Sequence, residues 1–529
     1  MRDSFLLSLL MSFLAGVIFT LGYPNFLFQG FFPFAPLGLI GLVLLLSRSF
    51  HEYKRSLLLI YLFNLGHTFA GFYWLNYTLQ VFAGLHSFWS FVALFIFALI
   101  VRPQLYLSLL IIRWLNRYSL PLSFRIILYS SILTWLDHYT PQIFPVPLGQ
   151  SLLPLGQLLT FSSMIGSLFY SFILYWAIAL FFAKFHFRFH LQKQLLAITA
   201  LISISLLPLF QSKDLQPTQN LNLRIVQANI GNFLKIQSEL GSIESLQEVS
   251  ERYLKLSQKE SDHKIDLIIW PETAYPYNLN TDQLSTAKQQ VPLLMQEIIQ
   301  FHQAQLLTGG YDTGQLQKSR NNLTTEYNSV FHFDPKEGFL DVYHKNILLM
   351  FGETLPFGRF NPQLRKYFPG VSLFAQGAHQ NSFLIKNQFR TITPICYEIL
   401  KPHYLRNYLN ASYDQYGQWP QFITNLTNDS WYGKTAEPYQ HLFLARWRAL
   451  EFSMPIVRAT NTGISAIINR YGEILKYTEI NSQENLDFSL PLFDHQPSLY
   501  QLYGDWIFLI MNLLILLIAS YTNRKSLFK

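Results

Sequence analysis

Residues 389–400 read FRTITPICYEIL, a short apolar and β-branched run that ends on Cys396 and is followed at once by Tyr397 and Glu398. Such composition favours a strand. A nucleophile is well placed where a buried strand gives way to a sharp turn, because the turn presents the thiol while neighbouring backbone N–H groups cradle an oxyanion. Taken alone, a single cysteine is as a rule a small buried hydrophobe. Cys396 is the only cysteine of the chain, so no intrachain disulfide forms and pairing says nothing of the redox compartment.

Two segments upstream have the same form. IIWPETAYP (268–276) places Glu272 just past the run IDLIIW (265–270), and VYHKNILLMFGE (342–353) places Lys345 after another β-rich stretch. Singly, each charge reads as a surface group at a turn. A carboxylate, an amine and a thiol at three strand ends can also converge on one sheet edge. There the carboxylate takes the thiol proton and the ammonium stabilises the charge of a tetrahedral intermediate. Further β-rich runs are LRIVQANI (223–230), QLLTGGY (305–311), YNSVFHF (327–333), QFITNL (421–426), PIVRAT (455–460) and ISAIINR (464–470), with helices expected near 284–303 and 438–453. The alternation predicts an α/β domain over 211–504, large enough for its own core. Asn428-Asp429-Ser430 and Asn461-Thr462-Gly463 read as turn signals with a structural role.

The remainder of the chain is of another kind. Overall it is 50% hydrophobic, 16% aromatic and 13% charged, with a mean hydropathy of +0.19, against about 25% charged in soluble globules. Apolar runs long enough for a bilayer recur near 5–22, 31–47, 56–80, 88–112, 123–139, 160–183 and 194–210, and an eighth near 505–522. The expected organisation is a membrane domain of seven transmembrane helices over 1–210, an extracytoplasmic domain over 211–504, and an eighth helix with a cytoplasmic tail over 505–529. The first run continues to Tyr23 and Pro24 without a small-residue cleavage pattern, which reads as a retained helix rather than a signal peptide.

Charge supports this division. Residues 1–210 hold eleven Lys/Arg against three Asp/Glu, the whole net charge of +8, while the other 319 residues carry 28 of each. No basic patch with interleaved aromatics lies in the polar region, so nucleic-acid binding is not expected. Alternate loops carry the cations: Arg48, Lys54 and Arg55; Arg113, Arg117 and Arg125; Lys184, Arg188 and Lys193; then Arg524, Lys525 and Lys529. Loops 23–30, 81–87 and 140–159 carry none. By the positive-inside rule both termini are cytoplasmic and 211–504 lies on the far side, the periplasm of a bacterium. Arg102-Pro103 interrupts the fourth run, reading either as an arginine facing protein or a cavity or as a span boundary set elsewhere. The Pro-rich, apolar 140–159 connection suits the membrane interface.

Together these segments resemble the nitrilase superfamily, and more closely the apolipoprotein N-acyltransferase family of integral membrane enzymes. The matching pieces are VQANI (226–230), WPET (270–273), HKNILLMFGE (344–353), ICYE (395–398), TNLTNDSWYG (424–433), QHLFLARWRALEFSMPIVRATNTG (440–463) and the eight-span envelope, nearly the whole chain. The resemblance implies an αββα sandwich beside the membrane helices. It puts the general base on Glu272, the oxyanion-stabilising lysine on Lys345 and the nucleophile on Cys396. Glu353 matches a second glutamate eight residues after the lysine, and Tyr397 and Glu398 match the pair after the cysteine, as supporting or substrate-binding residues. Ile236 stands where some relatives carry Trp, and Leu349-Met350 where Val-Pro is commoner.

The activity so implied is transfer of a fatty acyl chain from a membrane phospholipid to the α-amine of an S-diacylglyceryl cysteine on an apolipoprotein. It would run as a ping-pong exchange through a Cys thioester at the bacterial inner membrane. No metal or cofactor is expected, since no Cys/His ligand cluster, HExxH or GxxxxGK loop occurs. The aromatic and Leu-rich stretch 347–374 is expected to form a loop dipping toward lipid. Two other readings use the same sequence: a membrane-tethered amidase with water as acceptor, and a transporter or receptor with a sensor domain that tolerates loss of Cys396.

Overall fold

The computed structural model describes residues 2–27, 35–51, 55–81, 84–142, 144–187, 192–207, 219–287, 290–321, 325–367 and 371–522. Lys54, Arg188, Arg524, Lys525 and Lys529 of the charge pattern lie outside the described residues. So do parts of the second and seventh expected spans, of the 23–30 and 81–87 loops and of the 347–374 stretch, the 211–218 domain boundary and the 523–529 tail.

Helices occupy each of the eight positions marked by hydropathy. They are α1 (Arg2–Thr20), α2 (Ala35–His51), α3 (Ser56–Gly71), α4 (Trp74–Val81), α5 (Ser87–Ile100), α6 (Pro103–Leu115), α7 (Leu122–Tyr139), α8 (Ser162–Ile165), α9 (Leu168–Phe187) and α10 (Gln192–Ser205), with Trp506–Thr522 near the C-terminus. Among the described residues one stretch, Ser87–Leu115, is long and apolar enough to cross a membrane, and α3 with α4 would make a second were it not bent by 69°. Phe5–Thr20, Leu168–Ala183, Gln194–Ser205 and Trp506–Thr522 are apolar but shorter. Their outward faces are apolar as well: Leu196 is 71% exposed and Leu517 64%.

Two interruptions are anchored by polar contacts. Between α5 and α6, Arg102 is buried, donates to Asp137 Oδ1 at 2.8 Å and to the Val146 carbonyl at 3.3 Å, and so faces protein. Asp137 also accepts from Gln104 and from the Leu148 backbone N–H, tying α7 to the 140–159 connection. That connection is a 3-10 run, Leu148–Leu159, that buries Leu148, Leu153 and Leu159 while Leu155 and Leu158 stay exposed. At the α3–α4 bend, the Gly71 carbonyl is met by Gln440 Nε2 at 2.7 Å, as a broken helix requires where water is scarce.

Residues 219–492 form two six-stranded sheets. The first runs β12-β1-β2-β3-β4-β5, made of β1 (Gln219–Gln227), β2 (Leu267–Ile269), β3 (Gln305–Asp312), β4 (Tyr327–Asp334), β5 (Gly338–His344) and β12 (Glu484–Leu492). The second runs β11-β10-β9-β8-β7-β6, made of β6 (Phe383–Ile385), β7 (Phe389–Ile392), β8 (Phe422–Thr427), β9 (Ile456–Thr460), β10 (Ala466–Ile468) and β11 (Ile474–Tyr477). Each has a parallel centre (β1-β2-β3; β7-β8-β9) flanked by antiparallel strands.

Side-chain alternation explains the layers. Leu221, Leu223 and Ile225 of β1 join Ile392, Ile423 and Val457 of the other sheet in one core. Val226 and Ile268 turn the other way, onto the helices Ile243–Ser257 and Leu293–His302. The helices Pro402–Tyr416 and Glu437–Phe452 cover the second sheet, which gives the expected αββα order. One expectation is corrected: the single helix near 284–303 is two, Thr281–Thr286 and Leu293–His302, because Pro292 lacks the N–H that a continuous helix needs and serves as the second helix's cap.

Candidate active site

Three strand ends meet here. The WPET segment turns sharply after β2, with Thr273 at φ 49°, and lies against β3 so closely that a Cβ on Gly309 would sit 2.5 Å from the Thr273 backbone nitrogen. Glycine at 309 is therefore a condition for placing Glu272. Lys345 follows β5, its backbone N–H bonded to the Asn328 carbonyl of β4. Cys396 opens a 3-10 turn, Cys396–Leu400, after β7, and adopts φ 48°, a left-handed conformation costly for a residue with a Cβ.

Glu272, Lys345 and Glu353 form a buried ionic group. Lys345 Nζ lies 3.0 Å from Glu272 Oε1 and 2.7 Å from Glu353 Oε1. Asn328 Nδ2 donates to the same two oxygens at 2.7 and 3.0 Å, a bridge that the sequence does not advertise because Asn328 sits inside an ordinary strand. Glu272 Oε2 accepts the Asn428 backbone N–H at 2.8 Å, and Glu353 Oε2 that of Leu349 at 2.8 Å. The NDS turn thus serves the site through its backbone. Its Asn428 side chain is engaged as a cap by Ser430 and receives Asn461 Nδ2 at 3.2 Å.

The electrostatics suit a thiol to be activated. Burial, then the Glu272 carboxylate, holds the Cys396 thiol well above its usual range, with Lys345 and a bond from Thr427 opposing. Burial raises Glu272 as well, and Lys345 draws it back. For Lys345 burial works downward, but Glu272, Glu353 and Cys396 outweigh it and keep the ammonium charged. A buried carboxylate of raised proton affinity beside a protonated thiol and a permanent cation is an arrangement for general-base attack with oxyanion stabilisation.

Glu398 and Tyr397 part company. Glu398 is fully buried and accepts from Asn346 N (2.7 Å), Ile347 N (2.9 Å), Ile395 N (2.8 Å) and the Tyr343 hydroxyl (2.7 Å). It clamps the residues after Lys345 to the residue before Cys396. Burial pushes its carboxyl up to about 7, against these donors. Tyr397 turns toward the 140–159 connection, its ring 6.4 Å from Phe144 and 4.5 Å from the Lys401 ammonium.

Behind the nucleophile, the His441 ring lies 3.2 Å from Asp429 Oδ1 and 3.4 Å from the Cys396 carbonyl, and Asp429 Oδ2 accepts from Arg458 at 2.9 Å. Burial works to raise Asp429, but Arg458 and then His441 hold it below its ordinary value. Asp429, Glu437 and His441 bring donor atoms within 4.8 Å of one another and could hold a metal ion, although Arg458 already takes one side of the Asp429 carboxylate.

The N-terminal apolar helices touch this region directly. Tyr73 at the α3–α4 bend accepts the Ala436 N–H, Thr78 donates to the Trp431 carbonyl, and the rings of Trp74 and Tyr432 lie 5.1 Å apart. The 347–374 stretch exposes Met350, Phe351, Phe357 and Phe360 over a small core of Leu355, Val371 and Leu373.

Comparison with known proteins matches this architecture. Residues 222–487 fit the carbon-nitrogen hydrolase family, and residues 15–207 the apolipoprotein N-acyltransferase N-terminal domain. The apolipoprotein N-acyltransferase of Bdellovibrio bacteriovorus is 33% identical over 57% of this chain and 54% of its own length, so the match spans about half of that relative. The Rickettsia bellii apolipoprotein N-acyltransferase is 28% identical over 98% of this chain and 97% of its own. The solved structure of Saccharomyces cerevisiae Nit3, of the nitrilase superfamily, aligns with 52% of this chain and 91% of its own at 14% identity and a TM-score of 0.35. With its αββα sandwich following that N-terminal domain, the chain belongs to the carbon-nitrogen hydrolase family and is similar over its whole length to apolipoprotein N-acyltransferases.

Proposed function

We propose that this chain is an N-acyltransferase that moves a fatty acyl chain from a membrane phospholipid to the N-terminal α-amine of an S-diacylglyceryl cysteine on an apolipoprotein. The observation that carries the reading is the buried Glu272–Lys345–Glu353 group facing Cys396 at a sheet edge packed against apolar helices. Both substrates are lipid-anchored, which favours a nucleophile held next to a bilayer.

Glu272 removes the Cys396 proton, and the thiolate adds to the ester carbonyl of the phospholipid. Lys345 faces the resulting oxyanion. Collapse breaks the ester C–O bond, the lysophospholipid alkoxide takes the proton from Glu272, and a thioester remains. The acceptor amine then adds to the thioester and gives its proton to Glu272. The C–S bond breaks, the amide forms, and the thiolate recovers the proton. Glu353 and Asn328 hold Lys345 and Glu272 in register, Glu398 holds the two catalytic loops together, and Tyr397 lines the side facing the helices.

The topology that goes with this reading has seven spans over 1–210 and an eighth over 505–522, with both termini cytoplasmic and 211–504 periplasmic at a bacterial inner membrane. The exposed aromatics of 347–374 face the bilayer.

Intact-mass measurement after incubation with phospholipid alone tests the chemistry. One acyl chain gained by wild type and none by Cys396→Ala is expected. Free fatty acid released without N-acylation of an added diacylglyceryl peptide would favour the hydrolase instead.

A further inference from the structure

Lys401 closes the turn that Cys396 opens, and the reaction as written gives it nothing to do. Its ammonium folds back to within 4.5 Å of the centroid of the ring of Tyr397, the residue after the nucleophile. Among the described residues it has no salt-bridge partner, although it is partly buried. Burial lowers it to about 8, still largely charged at neutral pH. An ammonium held over an aromatic face, with no carboxylate paired to it among the described residues, is open to an oxygen anion.

Its level relative to the membrane helices is fixed by its neighbours. Two residues on, His403 lies 3.4 Å from Asp505, and its ring lies 5.7 Å from that of Tyr139, the last residue of α7. Tyr139 in turn donates to Asp505 at 2.5 Å, immediately before the helix Trp506–Thr522 begins. Tyr139, Tyr503 and Trp506 are all at least half exposed there. Amphipathic aromatics at the ends of apolar helices mark the depth of lipid headgroups. Lys401 stands five residues after Cys396 along a 3-10 turn, roughly 10 Å between Cα atoms. The ester carbonyl and the phosphorus of a glycerophospholipid are six bonds apart, a separation that the flexible lysine stem can match.

We infer that Lys401, seated over Tyr397, binds the phosphodiester of the acyl-donor phospholipid while its ester lies at Cys396. This rests on the acyl-donor reading above and adds to it a headgroup contact that fixes the donor's register. Lysine suits the role as a point charge for phosphate on a flexible stem.

The test is the first half-reaction alone, thioester formation on Cys396 followed by intact mass in detergent. Wild type, Lys401→Met and Lys401→Arg are compared on two donors, phosphatidylglycerol and p-nitrophenyl palmitate, which carries no phosphate. Lys401→Met is expected to raise KM for the phospholipid by about tenfold or more, to leave the p-nitrophenyl ester unaffected, and to be largely rescued in Lys401→Arg. An unchanged phospholipid KM, or equal losses on both donors, would overturn the site and leave Lys401 a packing residue for Tyr397. Soluble glycerophosphate competing as well as the lipid would assign the site to free phosphate and overturn it too. Wild type acylated by the p-nitrophenyl ester but never by phospholipid would instead sink the donor reading, and this site with it.

Discussion

At about pH 8.5, where a carboxyl raised to about 7 is ionised, replacing Glu398 by glutamine removes a charge and one acceptor without changing size. The carboxylate has four donors to serve: Asn346 and Ile347, after Lys345, meet Oε1, while the Ile395 N–H on the Cys396 side and the Tyr343 hydroxyl of β5 meet Oε2. A glutamine has one acceptor oxygen. If that oxygen stays with Asn346 and Ile347, its NH2 group faces the Ile395 N–H, and two donors meet in a buried place. The Tyr343 hydroxyl can turn to Tyr404, 2.5 Å away, but Ile395 has no such exit. An orphaned buried N–H costs about 1–3 kcal/mol, and the two retained bonds each lose about 1 kcal/mol of charge assistance, so the clamp weakens by roughly 3–5 kcal/mol. Relief comes from moving Ile395, which carries Cys396 away from Lys345. A displacement near 1 Å costs on the order of 100-fold in rate. Thermal unfolding in detergent should show a lower Tm for Glu398→Gln, and intact mass a thioester rate about two orders below wild type. A variant with wild-type Tm and wild-type rate would refute the clamp. One with a lower Tm but a normal rate would refute only its link to the nucleophile.

Three further outcomes follow from the packing. Gly463→Ala would bring a Cβ to 2.1 Å from Asp429 Oδ2; the pair with Arg458 must move, and a loss of about 1–3 kcal/mol in unfolding free energy is expected, with wild-type stability refuting the contact. Asp137→Ala leaves Arg102 buried without its anion, which should cost about 3–5 kcal/mol in detergent unfolding, whereas an unchanged Tm would place Arg102 in water. Asp429 is held below its ordinary carboxyl range, chiefly by Arg458 against burial, so the stability it adds is complete above about pH 4 and is lost as pH falls further. The Tm gap between wild type and Asp429→Asn should then stay constant at higher pH and narrow below about pH 4, and a gap that widens in acid would refute the assignment.

Legibility in the sequence followed the strength of local signals. Runs such as QLLTGGY and YNSVFHF mark β3 and β4 almost to the residue, because both faces of a central strand are covered and apolar composition is unavoidable. β11 and β12 escape notice for other reasons: Ile474–Tyr477 is mostly exposed, and in the edge strand β12 the alternation of Leu486, Phe488, Leu490 and Leu492 is interrupted by Pro491, a residue that reads against a strand. The helix Pro402–Tyr416 is too polar to separate from loop by pattern. Within the site, charged residues at strand ends stand out, whereas Asn328 does not, since a neutral amide within a strand acquires its meaning only when two carboxylates arrive from distant segments. Arg102-Pro103 did announce a break, but the bend after Gly71 carries no comparable signal, and the side chain that satisfies its freed carbonyl is a glutamine 369 positions away.

The ladder between β1 and β12 joins Gln219 to Leu492 and Gln227 to Glu484. Residues so paired lie about 5 Å apart, so the whole sandwich enters and leaves the chain through a single doorway. A unit with adjacent ends can be inserted into, or lifted out of, another protein without stretching its host. Its assembly, however, has to wait: the partner of the first strand is the last to be synthesised. Until Glu484–Leu492 emerges, β1 offers an open edge to any other strand, the condition in which nascent sheets aggregate. Truncations a few residues short of Leu492 should therefore be far more harmful than the small area they remove would suggest.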